Sequence, residues 1–353
     1  YLMANLATPS FANALNRYRA LVDQGLKEMD WSKAQPAGLY APMDYFMGLG
    51  GKRLRPALCL MACEMAGGDA ESALPQALAL ELFHNFTLLH DDVMDESPLR
   101  RGQPTVHLRY GLNAAILSGD ALLIEAYSLM VQAKPERLPD LVKEFNRVAL
   151  QVCQGQQMDM DFQNREEVSL SEYREMIGLK TAVLLGSSLK IGAIMGGAKM
   201  TDAQAMFRVG YLTGLAFQVQ DDWLDVYGDP ERFGKQIAGD IKACKHNFLR
   251  VTAMQEATHE QMEHLTSTFA RLRAYLDQEK NQGDIRVQDV QRQEWVDETI
   301  GCYNAIGLKQ KVQQYKAGLI QDARYALSRT SLNAAPLASD LMDYAEYLAN
   351  RLE

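Results

Sequence analysis

Two short clusters of aspartate carry the strongest chemical signal in this sequence. Residues 91–95 read DDVMD, and residues 221–225 read DDWLD. If each cluster lies on a helix, its first and last carboxylates share one face, one turn apart. Like charges at that spacing repel each other, so the arrangement costs stability unless a cation or solvent lies between them. The spacing therefore indicates a divalent-cation site at each cluster.

Both clusters follow apolar stretches that are typical of buried helices. Phe83, Phe86 and Leu89 precede the first cluster, and Phe217 and Val219 precede the second. The alternative is that each cluster is only an acidic helix end that faces water. In a chain with 45 Asp and Glu residues one such cluster could arise by chance, but two in matching apolar surroundings are poorly explained in this way. Carboxylate oxygens suit Mg²⁺, which keeps several waters and is usually shared with substrate phosphates. The pattern favours a facing pair of magnesium sites.

The elements that must position these clusters are predicted to be helices. Good helix formers dominate the chain, and apolar residues recur three and four apart, as at Leu78, Leu82 and Phe86. Glycine and proline separate about a dozen such segments. Because there is no fixed-period repeat and no low-complexity linker, the sequence predicts a single all-α domain over residues 1–353.

Composition narrows the class of function. The net charge is -9 and no dense Lys/Arg run exists, which argues against a nucleic-acid partner. No run of eighteen apolar residues predicts a membrane span. Cys59 and Cys63, four apart in an apolar stretch, are expected to be helical core residues rather than zinc ligands. Five irregularly spaced cysteines are typical of a reduced, cytoplasmic protein.

At the two clusters the sequence resembles the trans-isoprenyl diphosphate synthase family, which includes farnesyl, geranylgeranyl and longer polyprenyl diphosphate synthases. That family carries two DDxxD motifs, and both are present here without insertion. The resemblance covers residues 43–250 and is weaker in the C-terminal helices. It implies a large helical bundle around a central active-site cavity, a Mg²⁺-dependent prenyl transfer and a homodimer.

The same resemblance assigns roles to individual side chains. Isopentenyl diphosphate would be held by Lys52, Arg55, His84 and Arg101. The allylic diphosphate would be held by Arg100, Lys180, Lys235 and Lys245. Several Mg²⁺ ions would be bound by Asp91, Asp95, Asp221 and Asp225. The catalytic set would be Asp91, Asp92, Asp95, Lys180, Thr181, Gln218 and Asp221.

Taken alone, several of these residues have simpler interpretations. The basic loop GGKRLRP at residues 50–56 is compatible with a solvated surface, and His84 with a satisfied core histidine. Arg100 and Arg101 are compatible with ordinary ion-pair partners of the acidic cluster. The family usually follows the lysine that matches Lys245 with Lys or Arg and then Thr, whereas this chain has His246 and Asn247. That departure bears on the local loop contacts more than on the reaction.

The chemistry implied by the resemblance is ionisation of an allylic diphosphate. Neutralising the leaving group lets the C1–O bond break, and the double bond of isopentenyl diphosphate then attacks C1. No side chain in the sequence is an obvious general base, so the released pyrophosphate is expected to take the proton. Apolar helices around the clusters would exclude water from the cation.

In this family the residues before the first cluster form the floor for the growing product. Phe86 lies five residues before Asp91, roughly 7.5 Å down a helix, with Thr87 beside it. Phe83 lies about one further turn down. A single aromatic with a small neighbour is typical of short-chain synthases, so we expect a C15–C20 product, geranylgeranyl slightly ahead of farnesyl. An ordinary core role for both aromatics remains the alternative.

Three other interpretations share the helical architecture. A longer-chain polyprenyl synthase would have small residues at the floor, and a terpene cyclase would replace the second DDxxD cluster. A non-catalytic partner subunit would tend to lose the aspartates. Both clusters are intact here, which favours the synthase.

Overall fold

The computed structural model describes residues 9–229, 238–282 and 289–351, and it is almost entirely helical. The all-α prediction is confirmed. The helices are α1 Pro9–Glu28, α2 Ala37–Gly48, α3 Leu54–Met65, α4 Leu74–Met94, α5 Val106–Tyr110, α6 Leu112–Met130, α7 Leu138–Gln163, α8 Leu170–Ile177, α9 Val183–Gly196, α10 Met200–Tyr227, α11 Gly239–Lys242, α12 Phe248–Glu256, α13 His259–Gln282, α14 Asp289–Ile306, α15 Leu308–Ser328 and α16 Ala338–Asn350.

Short elements join these helices. Single 3-10 turns cover Trp31–Lys33, Glu71–Ala73 and Ser331–Ala334, and a π-helical turn, Gly178–Ala182, links α8 to α9. Strand β1, Leu99–Arg100, pairs antiparallel with strand β2, Gln103–Pro104. The first aspartate cluster therefore lies at the end of α4, directly before this small hairpin, and the second lies near the end of α10.

The chain forms two compact units. The first comprises Tyr1–Val148, Leu185–Gly210 and Ala326–Tyr344, and the second comprises Ala149–Leu184, Tyr211–Tyr325 and Ala345–Glu353. The first aspartate cluster belongs to the first unit and the second cluster to the second unit. The single domain predicted over residues 1–353 stays a prediction.

Helix α4 is the core element of the first unit, where it packs against α3 and α6. Pro75, in the first turn, is tolerated because the first backbone N–H groups of a helix have no intrahelical acceptor. Leu82 and Phe83 are fully buried, and burying each such side chain contributes about 1.5–3 kcal/mol. The helix ends after Met94, where the backbone N–H of Asp95 still donates to the carbonyl of Asp91 (2.8 Å).

In the second unit, α8 begins with a capping box. The Ser169 hydroxyl accepts from the backbone N–H of Glu172, and the Glu172 carboxylate accepts from the backbone N–H of Ser169. Behind this cap, Tyr173 is completely buried. The helix then widens into the π-helical turn at Gly178–Ala182, a distortion that is often found at functional sites.

The run from Leu170 to Gly196 is long and apolar enough to cross a membrane, judged by length and composition alone. However, 78% of its most apolar window is buried inside the protein, as in a core helix. The five cysteines are all free, and Cys59 and Cys63 are fully buried in α3, which confirms their predicted place in the core.

Candidate active site

The first aspartate cluster occupies the last turn of α4. Asp91 is half-buried, Asp92 is buried and Asp95 is exposed at the helix cap. The C-terminus of a helix carries a partial negative charge, so three carboxylates there are unfavourable unless cations compensate them. The local structure thus supports the interpretation that the cluster exists to bind positive charge.

Part of that compensation comes from Arg100 on β1. Its Nε and Nη2 atoms donate to Oδ1 of Asp92 at 3.0 and 2.5 Å, and Nε also reaches Oδ2 at 3.2 Å. Asp92 is only 1% exposed, so this fork holds a buried carboxylate. Arg100 was predicted to bind the allylic diphosphate, and Asp92 to be catalytic. The structure shows that the two side chains also bind each other.

The residues predicted to hold isopentenyl diphosphate come together in the first unit. Nη1 of Arg55, in the first turn of α3, lies 3.0 Å from Nε2 of His84 on α4. Burial, followed by the nearby Arg55 and Arg101 guanidinium groups, holds the pKa of His84 well below its usual value. Burial lowers the pKa of Arg55 to about 10, and its Nε is buried without a partner among the described residues. A buried donor of this kind suits an anionic ligand.

Arg101 and the loop that carries Lys52 meet at Gly51. A Cβ atom on Gly51 would lie 3.2 Å from Nη2 of Arg101 and 3.2 Å from Nη1 of Arg53. The missing side chain therefore lets two guanidinium groups approach the loop backbone. Lys52 is exposed, and its carbonyl accepts from Nε of Arg19 at 2.9 Å.

The second cluster is organised around Asp222. Its carboxylate accepts from the Tyr173 hydroxyl, from the backbone N–H of Phe248 (2.7 Å) and from Nε2 of Gln218 (3.2 Å). Burial, and secondarily the Asp240 carboxylate, raise the pKa of Asp222 to about 7 despite these bonds. With both oxygens occupied in the interior, Asp222 anchors α10 to α8 and α12, and the flanking Asp221 and Asp225 remain the predicted metal ligands.

Asp221 is paired with an arginine that follows α16. The Arg351 guanidinium donates to Oδ1 of Asp221 and lies 4.1 Å from the centre of the Phe217 ring. Nε2 of Gln220 donates to the carbonyl of Arg351 at 2.6 Å, which fixes this end of the chain beside the cluster. Burial lowers the pKa of Arg351 to about 10. Asp221 therefore already holds a cation from the protein itself.

Asp225 contacts the segment that begins at residue 238. Its two carboxylate oxygens accept from the backbone N–H groups of Gly239 (3.1 Å) and Asp240 (3.0 Å). Lys245, predicted to bind the allylic diphosphate, is exposed in the loop between α11 and α12. Lys235 lies outside the described residues.

Lys180 and Thr181 lie in the π-helical turn, and each meets a partner. Nζ of Lys180 lies 2.6 Å from Oδ2 of Asp159 on α7, and the Thr181 hydroxyl lies 3.3 Å from Oε1 of Gln218. Gly155 lets α7 pack closely against the π-helical turn, because a Cβ at this position would lie 2.2 Å from the backbone nitrogen of Lys180. Thr181 and Gln218, each predicted separately to be catalytic, are thus adjacent in the structure.

The residues predicted to form the product floor differ in their surroundings. Phe83 is buried and its ring packs edge-on against Phe145, with centroids 5.4 Å apart. Phe86 is half-buried, 5.6 Å from the Phe83 ring and 4.8 Å from the His90 ring. The Thr87 hydroxyl donates to the carbonyl of His84 at 2.8 Å. Phe83 thus belongs to the core, and Phe86 keeps part of its surface available.

The donor chemistry of the two clusters fits Mg²⁺. Asp91, Asp95, Asp221 and Asp225 offer only carboxylate oxygens, which this hard cation prefers. Within residues 9–229, 238–282 and 289–351, no three Asp, Glu, His or Cys side chains converge in a ready-made metal cluster. Protein Mg²⁺ sites commonly use one or two carboxylates and take further ligands from water and phosphate. The residues therefore fit ions that bind together with a diphosphate.

The second unit also contains a cavity of about 1390 Å³. It is lined by residues of α8, α10, α12 and α13 and of the segments before α8 and α12, among them Arg165, Glu172, Leu215, His246 and Phe269. None of the predicted catalytic or substrate-binding residues lines it. The candidate site is defined by its side-chain chemistry and not by this cavity.

Two partners of the predicted residues, Tyr173 and Arg351, could not be found from the sequence. Asp159, the partner of Lys180, belongs to the GQQMD segment at residues 155–159, which does not by itself indicate a charge partner. Tyr173 and Arg351 have no local signal, since they lie 49 and 130 residues from the aspartates they bind. Only the fold brings them together.

An almost entirely helical fold with one DDxxD cluster near the end of α4 and another near the end of α10 matches the class of helical prenyl diphosphate synthases that the motifs resemble. A family model described as polyprenyl synthetase matches residues 36–282. The chain belongs to the polyprenyl synthetase family, which confirms the resemblance inferred from its motifs.

Characterised relatives and solved structures agree with this membership. A geranylgeranyl diphosphate synthase of Methanosarcina mazei is 41% identical over 224 residues, which cover 63% of this chain and 69% of that protein. A geranylfarnesyl diphosphate synthase of Natronomonas pharaonis is 35% identical over 262 residues, covering 69% and 76%. The crystal structure of a geranylgeranyl pyrophosphate synthase is 37% identical with a TM-score of 0.85, covering 96% of this chain and 99% of that one.

Proposed function

We propose that this protein is a short-chain trans-prenyl diphosphate synthase. It condenses an allylic diphosphate head-to-tail with isopentenyl diphosphate and releases pyrophosphate. The observation that carries the proposal is the pair of aspartate clusters at the ends of α4 and α10, together with the part-buried Arg55–His84 contact. Family membership and the names of the relatives support the same reaction.

Mg²⁺ would be held by Asp91, Asp95 and Asp221, with Asp225 as a further ligand, and when bound it supplies electrostatic stabilisation of the departing diphosphate. In this conformation the two carboxylate oxygens of Asp225 accept two backbone N–H bonds, which compete with direct coordination of an ion. These bonds hold the first residues of α11, the helix that precedes the loop carrying Lys245.

The chain's own cations would act on the two diphosphates separately. Lys52, Arg55 and Arg101 would bind isopentenyl diphosphate, with His84 as a hydrogen-bond partner that is neutral because its pKa is lowered. The allylic diphosphate would be bound by Arg100, Lys180, Lys235 and Lys245. The oxygens of Thr181 and Gln218 would face the developing allylic cation, and the released pyrophosphate would accept the proton.

Phe86 is the best candidate for the product floor. It is half-buried, while Phe83 is committed to the core through Phe145. A geranylgeranyl product is favoured over farnesyl. A longer product is the second candidate, because one of the relatives is named as a geranylfarnesyl diphosphate synthase.

A direct test is pyrophosphate release by the purified protein. The proposal expects release only when an allylic diphosphate, isopentenyl diphosphate and Mg²⁺ are all present. Release from the allylic diphosphate alone would favour a cyclase, and no release with any combination would favour a non-catalytic subunit.

The two adjacent arginines should have separable effects. Arg100→Ala should raise KM for the allylic substrate and also lower stability by about 1–3 kcal/mol, because Asp92 would lose its buried partner. Arg101→Ala should raise KM for isopentenyl diphosphate about tenfold or more with less effect on stability. Steady-state kinetics and chemical denaturation measure both quantities. Equal changes of both KM values in both variants would contradict the assignment.

We further propose a cytoplasmic homodimer that uses the outer side of α6. Four large apolar side chains are exposed on this helix: Leu112, Ile116, Leu117 and Ile124. Exposed apolar surface of this kind is typical of a protein interface. Light scattering should give twice the mass of the chain, and Ile124→Glu should shift the protein toward the monomer. A monomeric wild type, or an unchanged dimer in the variant, would reject this surface.

A further inference from the structure

Arg53 has an unusual backbone conformation for its residue type. It lies between Lys52 and Arg55, at the N-cap of α3, with φ 49° and ψ 38°. This left-handed region is uncommon for residues other than glycine, so surrounding contacts must hold it. The conformation turns the chain between the two predicted clamp residues.

The side chain of Arg53 is buried and doubly paired. Its Nη1 donates to Oε1 of Glu81 at 2.6 Å, and its Nε donates to Oδ1 of Asp23 at 3.1 Å. Only 7% of the Arg53 side chain and 3% of the Glu81 side chain are exposed. Burial would lower the pKa of Arg53, but the Glu81 and Asp23 carboxylates together outweigh that effect and raise it. A guanidinium group enclosed in this way is not available to bind a substrate.

Glu81 is also tied to its own helix. Its Oε1 accepts from Nδ2 of Asn85 at 3.2 Å, one turn along α4. His84, which contacts Arg55, lies three residues after Glu81. The Arg53–Glu81 pair therefore joins the loop before α3 to the turn of α4 that carries His84.

We propose that Arg53 and Glu81 form a positioning pair for the isopentenyl diphosphate site. The pair fixes Lys52 and Arg55 relative to His84 and does not touch the ligand. This inference rests on the proposed function of those residues. The simpler alternative is an ordinary structural ion pair that affects stability alone.

Four variants separate these alternatives: Arg53→Met, Glu81→Gln, the double variant and Arg53→Lys. Arg53→Met leaves the buried Glu81 carboxylate without its guanidinium partner, and Glu81→Gln leaves Arg53 paired only with the exposed Asp23, so both changes should destabilise the fold. The double variant removes both charges, so much of the stability should return. If the pair positions the clamp, KM for isopentenyl diphosphate stays raised about tenfold in the double variant, while KM for the allylic substrate changes less than about twofold. Arg53→Lys should recover part of the affinity.

The matched control is the ion pair of Arg17 and Glu64, which joins α1 to the same helix α3. Arg17→Met should change neither KM. Recovery of KM for isopentenyl diphosphate together with stability in the double variant would overturn the proposal, as would equal increases for both substrates. Absence of turnover in the wild type would instead refute the proposed function. In that case, calorimetric titration with isopentenyl diphosphate alone tests whether Arg53 and Glu81 position the site. The positioning role requires weaker binding to the double variant than to the wild type.

Discussion

Asp91→Ala should lower turnover about a thousandfold or more, because it removes a carboxylate from the site that stabilises the leaving group, an effect worth several kcal/mol. Its fold should be retained, since Asp91 is half-exposed at a helix end where negative charge is unfavourable. Turnover of purified protein at saturating substrate and Mg²⁺ measures the effect. Glu263→Ala, an exposed carboxylate on α13, is the matched control and should keep wild-type activity.

The corresponding change in the second cluster should have a similar kinetic effect and a larger structural one. Asp221→Ala leaves Arg351 buried without its carboxylate, which should cost about 1–3 kcal/mol of stability. Sequence alone suggested that relieving like-charge crowding would be harmless at both clusters, and the Arg351 contact predicts otherwise for this one. Asp221→Asn retains an acceptor for Arg351 and should be more stable, yet equally slow. Near-normal turnover in either Asp91→Ala or Asp221→Asn would contradict the metal assignment.

Phe86→Ala should lengthen the product by at least one isoprene unit. If the half-buried ring blocks the growing chain, its removal opens space of about that size, while the proposed metal ligand Asp91, more than one helical turn above, is unchanged. The first condensation should therefore keep nearly its normal rate. Chromatography of the dephosphorylated products measures the shift.

Phe83→Ala is the matched control for this prediction. Phe83 is 1% exposed and packs on Phe145, so its loss should create a cavity and cost about 3–5 kcal/mol without changing the product. The opposite pattern for Phe86→Ala, a lower melting temperature with the original product, would show that Phe86 is also a core residue. A residue on a neighbouring helix would then be the next candidate.

Local patterns in the sequence predicted the helical fold and the placement of both aspartate clusters at helix ends. The i, i+4 spacing and the apolar stretches before Asp91 and Asp221 are properties of single helices, so they need no knowledge of the fold. The family resemblance named Thr181 and Gln218 separately as catalytic residues, and their 3.3 Å contact was found only in the structure. That the two clusters face one another remains a prediction.

Pairings between distant segments could not be predicted in this way. Arg53 and Glu81 are 28 residues apart, and each looks ordinary on its own helix. The second aspartate of each cluster shows the same limit. Asp92 and Asp222 occupy the same position in the two DDxxD motifs, yet Asp92 binds Arg100 and Asp222 binds Tyr173. The partners differ because the surrounding helices differ. Asp92 and Asp222 are both buried, unlike the flanking aspartates, and the spacing of residues in the sequence does not reveal this burial.

Product analysis after incubation with labelled isopentenyl diphosphate tests the central claim most directly. The purified protein would be supplied with Mg²⁺ and an allylic diphosphate, and the products would be dephosphorylated and separated by chain length. Label is expected in a linear prenyl alcohol of fifteen to twenty carbons, formed only when both substrates are present. A product without label, such as a cyclic hydrocarbon made from the allylic diphosphate alone, or no product at all, would contradict the claim.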